Sequence, residues 1–141
     1  MKKILLILIF LFVSSNPLNG QTNKWTEVYK HTNGDIEYID FENIRQIGDY
    51  IYWYNLTNYI EPRKNIMSLS TYFKGDCEEM KFKFLNFNYF LGRMGTNLQT
   101  SEPPIGELKE WKFPSPGMVT HYYLKLVCEF EKNELKSKQK T

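Results

Sequence analysis

The chain has 141 residues, with 18 basic and 16 acidic side chains, two histidines and two cysteines. That length suits one domain large enough for a real core. A formal charge of +2 argues against nucleic acid as a partner, because that affinity comes largely from neutralising phosphates.

Lys2 and Lys3 precede an unbroken apolar run from Ile4 to Val13, which Ser14, Ser15, Asn16 and Pro17 break. A charged start, a short apolar stretch and a polar exit form a secretory signal peptide. The run is too short for the roughly 20 apolar residues of a membrane-spanning helix. Cleavage is therefore expected, after Ser15 or after Gly20, with no stable membrane anchor afterwards. No cysteine precedes Cys77, so a lipoprotein is not expected. Without Lys2 and Lys3 the exported part balances 16 basic against 16 acidic residues.

Trp25–His31 reads as a first strand, and Asn33-Gly34-Asp35 as a hairpin turn, because Asn and Gly tolerate positive φ. Ile36–Asp40 is the return strand, Phe41–Arg45 at most one turn of helix, and Gly48-Asp49 another turn. Tyr50–Ile60 is the longest strand. Tyr50, Tyr52, Tyr54 and Leu56 line one side and Ile51, Trp53 and Tyr59 the other, which predicts a central strand covered on both faces. Glu61–Asn65 reads as a loop and Met67–Phe73 as a half-buried strand. Gly75-Asp76 turns the chain into Cys77. Glu78–Phe90 alternates until its apolar phase slips, which predicts a β-bulge or break near Leu85. Residues 91–110 read as irregular.

Ser115-Pro116 reads as a helix start, with Ser as N-cap and Pro in the first turn. Val119, Tyr122, Tyr123, Leu126, Val127 and Phe130 then recur at helical spacing. His121, Lys125 and Glu129 form a narrow polar ridge with Cys128 at its margin. A strand through Tyr122–Phe130 is the competing reading. The Lys-rich end reads as a fraying helix or a disordered tail.

Two cysteines in an exported chain most simply form one disulfide, Cys77–Cys128. The alternatives are two free thiols or half of a metal site. Two histidines and no Cys-x-x-Cys spacing argue against metal. No cofactor or catalytic group stands out. His31 at a strand end and His121 on the helix ridge read as solvated. Glu78 and Glu79 point to opposite faces if they lie in a strand, which is wrong for paired acid–base work. Asp76 reads as a turn residue. Asn55-Leu56-Thr57 matches a glycosylation acceptor but lies in the most apolar strand, so the match reads as chance. The aromatic stripes read either as core or as a platform for a protein segment or apolar ligand.

A series of short landmarks runs in order through the chain: Trp25, Asn33-Gly34-Asp35, Tyr38-Ile39-Asp40, Trp53, Gly75-Asp76-Cys77, Trp111, Pro116-Gly117 and Cys128. In this order they resemble the surface-adhesin protein E-like domains of bacterial envelopes, over about residues 24 to 128. The resemblance implies an antiparallel sheet with a C-terminal helix held on its face by Cys77–Cys128. It further implies a surface protein that dimerises and adheres to host extracellular-matrix components, and it carries over no catalytic residue. The chain departs from the pattern in lacking a lipidation cysteine, in Met118 where a small polar residue is usual, and in running on past Cys128.

The expectation is therefore an α+β domain: one antiparallel sheet of about five or six strands with a C-terminal helix on one face, tethered by a disulfide. Residues 1–20 are assigned to a signal peptide, 21–130 to the domain and 131–141 to a polar tail. The expected function is that of an exported, non-enzymatic, adhesin-like binding protein located in the periplasm, on the surface or outside the cell. The alternative is a soluble periplasmic protein that holds a small apolar ligand between sheet and helix or assists envelope maintenance.

Overall fold

The computed structural model describes residues 23–139. The signal-peptide reading and its cleavage sites lie outside the described residues. Seven strands form one antiparallel sheet: β1 (Trp25–Lys30), β2 (Ile36–Asp40), β3 (Arg45–Ile47), β4 (Tyr50–Arg63), β5 (Ile66–Asp76), β6 (Lys81–Phe90) and β7 (Leu98–Glu102). Their order is β1-β2-β4-β5-β6-β7, with β3 paired to the start of β4. The only α-helix among the described residues, α1, spans Val119–Lys138.

The turns follow local chemistry. Gly34 takes φ 94° between β1 and β2, as the Asn-Gly signal requires. Glu61–Asn65 is not the expected loop. β4 continues through Arg63, and Lys64 and Asn65 turn the chain at φ 51° and 69°, the paired positive φ of a two-residue hairpin turn. The expected bulge is present. Phe84 pairs with Phe73 and Asn86 with Tyr72, which leaves Leu85 as the extra residue. Phe82, Phe84 and Phe87 thereby stay on one face despite the odd spacing.

That face carries the core. Ile39, Ile51, Trp53, Phe73 and Phe82 pack beneath Tyr123, Leu124 and Val127 of α1. Trp53 lies parallel to Phe73 at 4.9 Å between ring centres, and its indole Nε1 donates to Asn55 Oδ1 at 2.7 Å. Asn55 is buried as the partner of a core tryptophan, so the apparent glycosylation acceptor has a structural role.

The helix begins later than expected. Pro116 and Gly117 form a turn closed by the Met118 N–H donating to the Ser115 carbonyl at 3.1 Å, with Gly117 at φ 92°. Left-handed backbone cannot continue a right-handed helix, so the first helical residue is Val119 and Ser115 caps nothing. Leu124 is fully buried, whereas Tyr122 lies on the exposed shoulder of the helix. The Cys77–Cys128 disulfide joins the turn after β5 to the middle of α1 across a sequence separation of 51 residues. The helix then runs through Lys138, well into the assigned tail.

Candidate binding surface

The helix covers one face of the sheet. The opposite face carries a grid of tyrosines, lysines and amides whose rows are set by the strand register. Arg45, Tyr52, Lys74 and Lys83 are successive partners across β3, β4, β5 and β6. Two residues along lie Tyr54, Tyr72 and Asn86, then Tyr38, Leu56, Ser70, Asn88 and Ser101. Tyr54 stacks on Tyr72 at 4.3 Å, and Tyr52 lies 6.2 Å from Tyr72. Asn86 donates to Asn88 Oδ1 and Ser101 Oγ, so the amides are satisfied among themselves.

The expectation of burial on both faces fails here. Tyr50, Tyr52, Tyr54 and Tyr72 are half-buried rather than buried, because a single helix can cover only one side. Partial burial still raises the phenol pKa values of Tyr54 and Tyr72, so both stay neutral donors. The far end of this face is closed. The Gly92–Thr96 loop folds over Leu56, anchored by Ser68 Oγ donating to the Gly92 carbonyl at 2.6 Å and Met94 N–H donating to Asn58 Oδ1 at 2.9 Å. At the near end Trp111 stacks on Tyr50 at 5.7 Å. Lys112 holds that segment to the sheet through paired backbone bonds with Phe82.

Two other features carry chemistry. A cleft of about 210 Å³ at the β1–β2 hairpin is lined by His31, Asn33, Asp35, Glu37, Thr57, Tyr59 and Arg63. His31 is therefore not simply solvated: its Nε2 lies 3.2 Å from Glu37 Oε1. Glu37 is 8% exposed. Burial raises its carboxyl pKa, against the Thr57 and His31 hydrogen bonds that favour the charged form. Burial also acts on Asp35, but hydrogen bonds from Ile60 N–H, Asn33 and Arg63 outweigh it and hold that carboxyl below its usual value. The arrangement braces the hairpin against β4. It does not build a triad, because the Thr57 hydroxyl lies 3.0 Å from both Glu37 oxygens and is thus bonded to the acid rather than to the imidazole. The second feature is a cavity of about 390 Å³ beside the disulfide, walled by Ile51, Met80 and Leu135.

Known proteins bear on this geometry. A family profile described as surface-adhesin protein E matches residues 25–129. The chain belongs to the surface-adhesin protein E family. Membership makes it a surface adhesin-like protein with partners outside itself. A crystal form II structure of Haemophilus influenzae protein E is 16% identical at TM-score 0.57, covering 74% of this chain and 87% of that chain. Another structure of Haemophilus influenzae protein E is also 16% identical, at TM-score 0.56, over 74% of this chain and 83% of that one. At that identity the likeness shows a shared fold. No curated protein matches the sequence.

The adhesin E landmarks occupy framework positions. Trp25 opens β1, and Tyr38 sits on the tyrosine face beside Leu56. Asp40 is fully buried and accepts from Asn43 N–H and Nδ2 at 3.3 and 2.6 Å, capping a 3-10 turn at Phe41–Asn43. Trp53 and Gly75 meet beneath α1. Asp76 accepts from the backbone N–H groups of Glu78 and Glu79, both at 3.0 Å. Those two glutamates therefore lie in a turn, not in the expected strand. Pro116 and Gly117 form the turn before α1, and Trp111 lies on the open face with Lys74, Lys81 and Lys83 around its ring. At the level of sequence the aromatic stripes read as core or as a binding platform, without saying which tyrosines are exposed, and the lysines went unassigned. The available signal was the alternation of Tyr50, Tyr52 and Tyr54 and of Lys81 and Lys83.

Proposed function

We propose that this chain is an exported binding protein of the bacterial envelope that works without catalysis, holding a protein partner against the open face at Tyr52, Tyr54 and Tyr72. The observation that carries this reading is a sheet face of half-exposed tyrosines in mutual contact, Tyr54 stacked on Tyr72, beside satisfied amides. Tyrosine offers a large rigid contact area at small entropic cost, and Asn and Ser add adaptable hydrogen bonds. Surface display makes host extracellular-matrix components the partners to screen. A second copy of the chain is a further candidate, pairing along the outer edge of β7, where Leu98 is exposed.

The first test is protease shaving of intact and outer-membrane-permeabilised cells. Digestion in intact cells, together with binding to matrix-coated plates that falls tenfold or more in Tyr54→Ala/Tyr72→Ala, is the expected result. Cleavage only after permeabilisation removes the adhesive reading. The reading would then pass to a small apolar ligand, for which the 390 Å³ cavity is of suitable volume.

A further inference from the structure

Lys74 on β5 and Lys83 on β6 are direct cross-strand partners on the open face. Like charges directly opposite one another destabilise an antiparallel pair. The next row on the same two strands shows the usual arrangement: Asp76 faces Lys81, and their charged groups are 3.6 Å apart. Lys81 is also paired with Glu79. Among the described residues no carboxylate pairs with Lys74 or Lys83. Their ammonium groups instead lie against aromatic rings, Lys74 at 3.6 Å from the centre of Tyr50 and Lys83 at 5.2 Å from Trp111. Lys81 lies 5.0 Å from the same indole. Lys74 lies 5.8 Å from that indole as well, so one tryptophan gathers three cations, of which Lys81 alone is paired with carboxylates. Arg45 extends the row across Tyr52, with its guanidinium donating to the Glu42 and Ile44 carbonyls.

We infer that Lys74 and Lys83 form an acceptor site for carboxylates of an acidic protein segment, which docks along the Arg45–Tyr52–Lys74–Lys83 row. This rests on the binding reading above and names the chemistry of its partner. Adjacent strands are about 4.8 Å apart, so one carboxylate can bridge the two lysines and relieve their repulsion. The surroundings are an uncovered sheet face of tyrosine rings and of amides already bonded to each other. That suits the side chains of an extended protein segment better than an enclosed small molecule.

The disulfide-bonded protein is titrated with a deca-glutamate peptide at low salt, followed by tryptophan fluorescence, with a heparin decasaccharide in a parallel arm. The expected result is peptide binding that weakens at least tenfold in Lys74→Gln/Lys83→Gln, holds in Lys125→Gln/Lys132→Gln on the helix, and loses its fluorescence signal in Trp111→Phe. Without peptide, Lys83→Gln should unfold at a higher denaturant concentration than wild type, because it removes the like-charge pair. If the lysines only cover Trp111, the same change lowers the midpoint and the inference falls. Lysine-dependent binding of the decasaccharide without binding of the peptide also overturns it, since the occupant would then be a sulfated glycan. If Tyr54→Ala/Tyr72→Ala abolishes matrix binding and the lysine variant does not, this inference fails while the adhesive reading stands. If wild type ignores matrix but takes the peptide through the two lysines, the acceptor site stands and the matrix reading fails.

Discussion

A methyl group added at Gly75 tests how closely α1 is seated on the sheet. The new Cβ would lie 2.8 Å from Trp53 Cζ3, 2.9 Å from Leu124 Cδ1 and 3.1 Å from Ile51 Cγ2. These three side chains are at most 2% exposed, so none can swing into solvent to make room. Gly75 is not in the left-handed region. Alanine is thus allowed by the backbone, and on its own it would stabilise by about 0.4–1 kcal/mol through the unfolded chain. Overpacking a filled core costs about 1–3 kcal/mol. The clash should win, leaving Gly75→Ala less stable by about 1–2 kcal/mol. Leu124→Ala alone should cost about 2–5 kcal/mol through the cavity it leaves. In the double variant the new methyl enters that space, so the combined loss should fall short of the sum by about 0.5 kcal/mol or more. Urea titration followed by tryptophan fluorescence, with the disulfide intact, measures all three. A Gly75→Ala protein as stable as wild type, or strict additivity in the pair, would refute the close seating of the helix.

Three further outcomes follow from buried groups and the crosslink. The Tyr123 hydroxyl is buried without a hydrogen-bond partner, and burial pushes its pKa far up. Tyr123→Phe should therefore raise stability by up to about 1 kcal/mol, and a lower urea midpoint would show that the hydroxyl is satisfied in solution. Reducing Cys77–Cys128 frees a loop set by the 51-residue separation; the chain-entropy model puts the loss at about 4 kcal/mol, which is read from denaturation with and without reductant. Burial raises the Glu37 pKa above its ordinary 4.5, so its contribution is full below that value and is lost as pH rises through the folded value. Asp76, held low by the Glu79 and Glu78 N–H groups, acts oppositely, and its contribution is lost as pH falls through its depressed value. Glu37→Gln should accordingly flatten the fall in urea midpoint above pH 4.5, and a greater loss at pH 7 than at pH 4 would count against the assignment.

Most of the framework could be read from periodicity because burial imposed it. Val119, Tyr123 and Val127 recur at helical spacing because one face of α1 lies on the sheet, and the slip at Leu85 marks a bulge that keeps the phenylalanines together. Elements without a buried face left no such trace. The residues of β3 are all exposed, and β7 has only Thr100 half-buried. Backbone pairing holds both in place, and pairing imposes no side-chain pattern. The start of α1 was misplaced because Ser-Pro suits a helix cap and a turn equally, and the left-handed Gly117 decides between them. The open face was hidden for a different reason. Lys74 and Lys83 are nine residues apart and His31 and Glu37 six, and only the strand register makes neighbours of them.

Among the described residues a lone helix over a seven-stranded sheet leaves an unshared face, and the composition of that face is the informative part of the structure. An antiparallel sheet with one wet side ordinarily alternates apolar residues inward with charged and hydroxyl residues outward. Here the outward positions of β4 near the open end are Tyr50, Tyr52 and Tyr54, matched on β5 by Tyr72. Large rings left half in water gain only part of the free energy that burial would give. The like-charged Lys74–Lys83 pair adds a second local cost in the adjoining row. The helix-covered face shows the opposite economy, with Trp53 and Asn55 bonded to each other and Gly75 making room for Leu124. Stability alone accounts for the covered face. The open face is better explained by a partner that completes the burial of its tyrosines and supplies the charge its lysines lack.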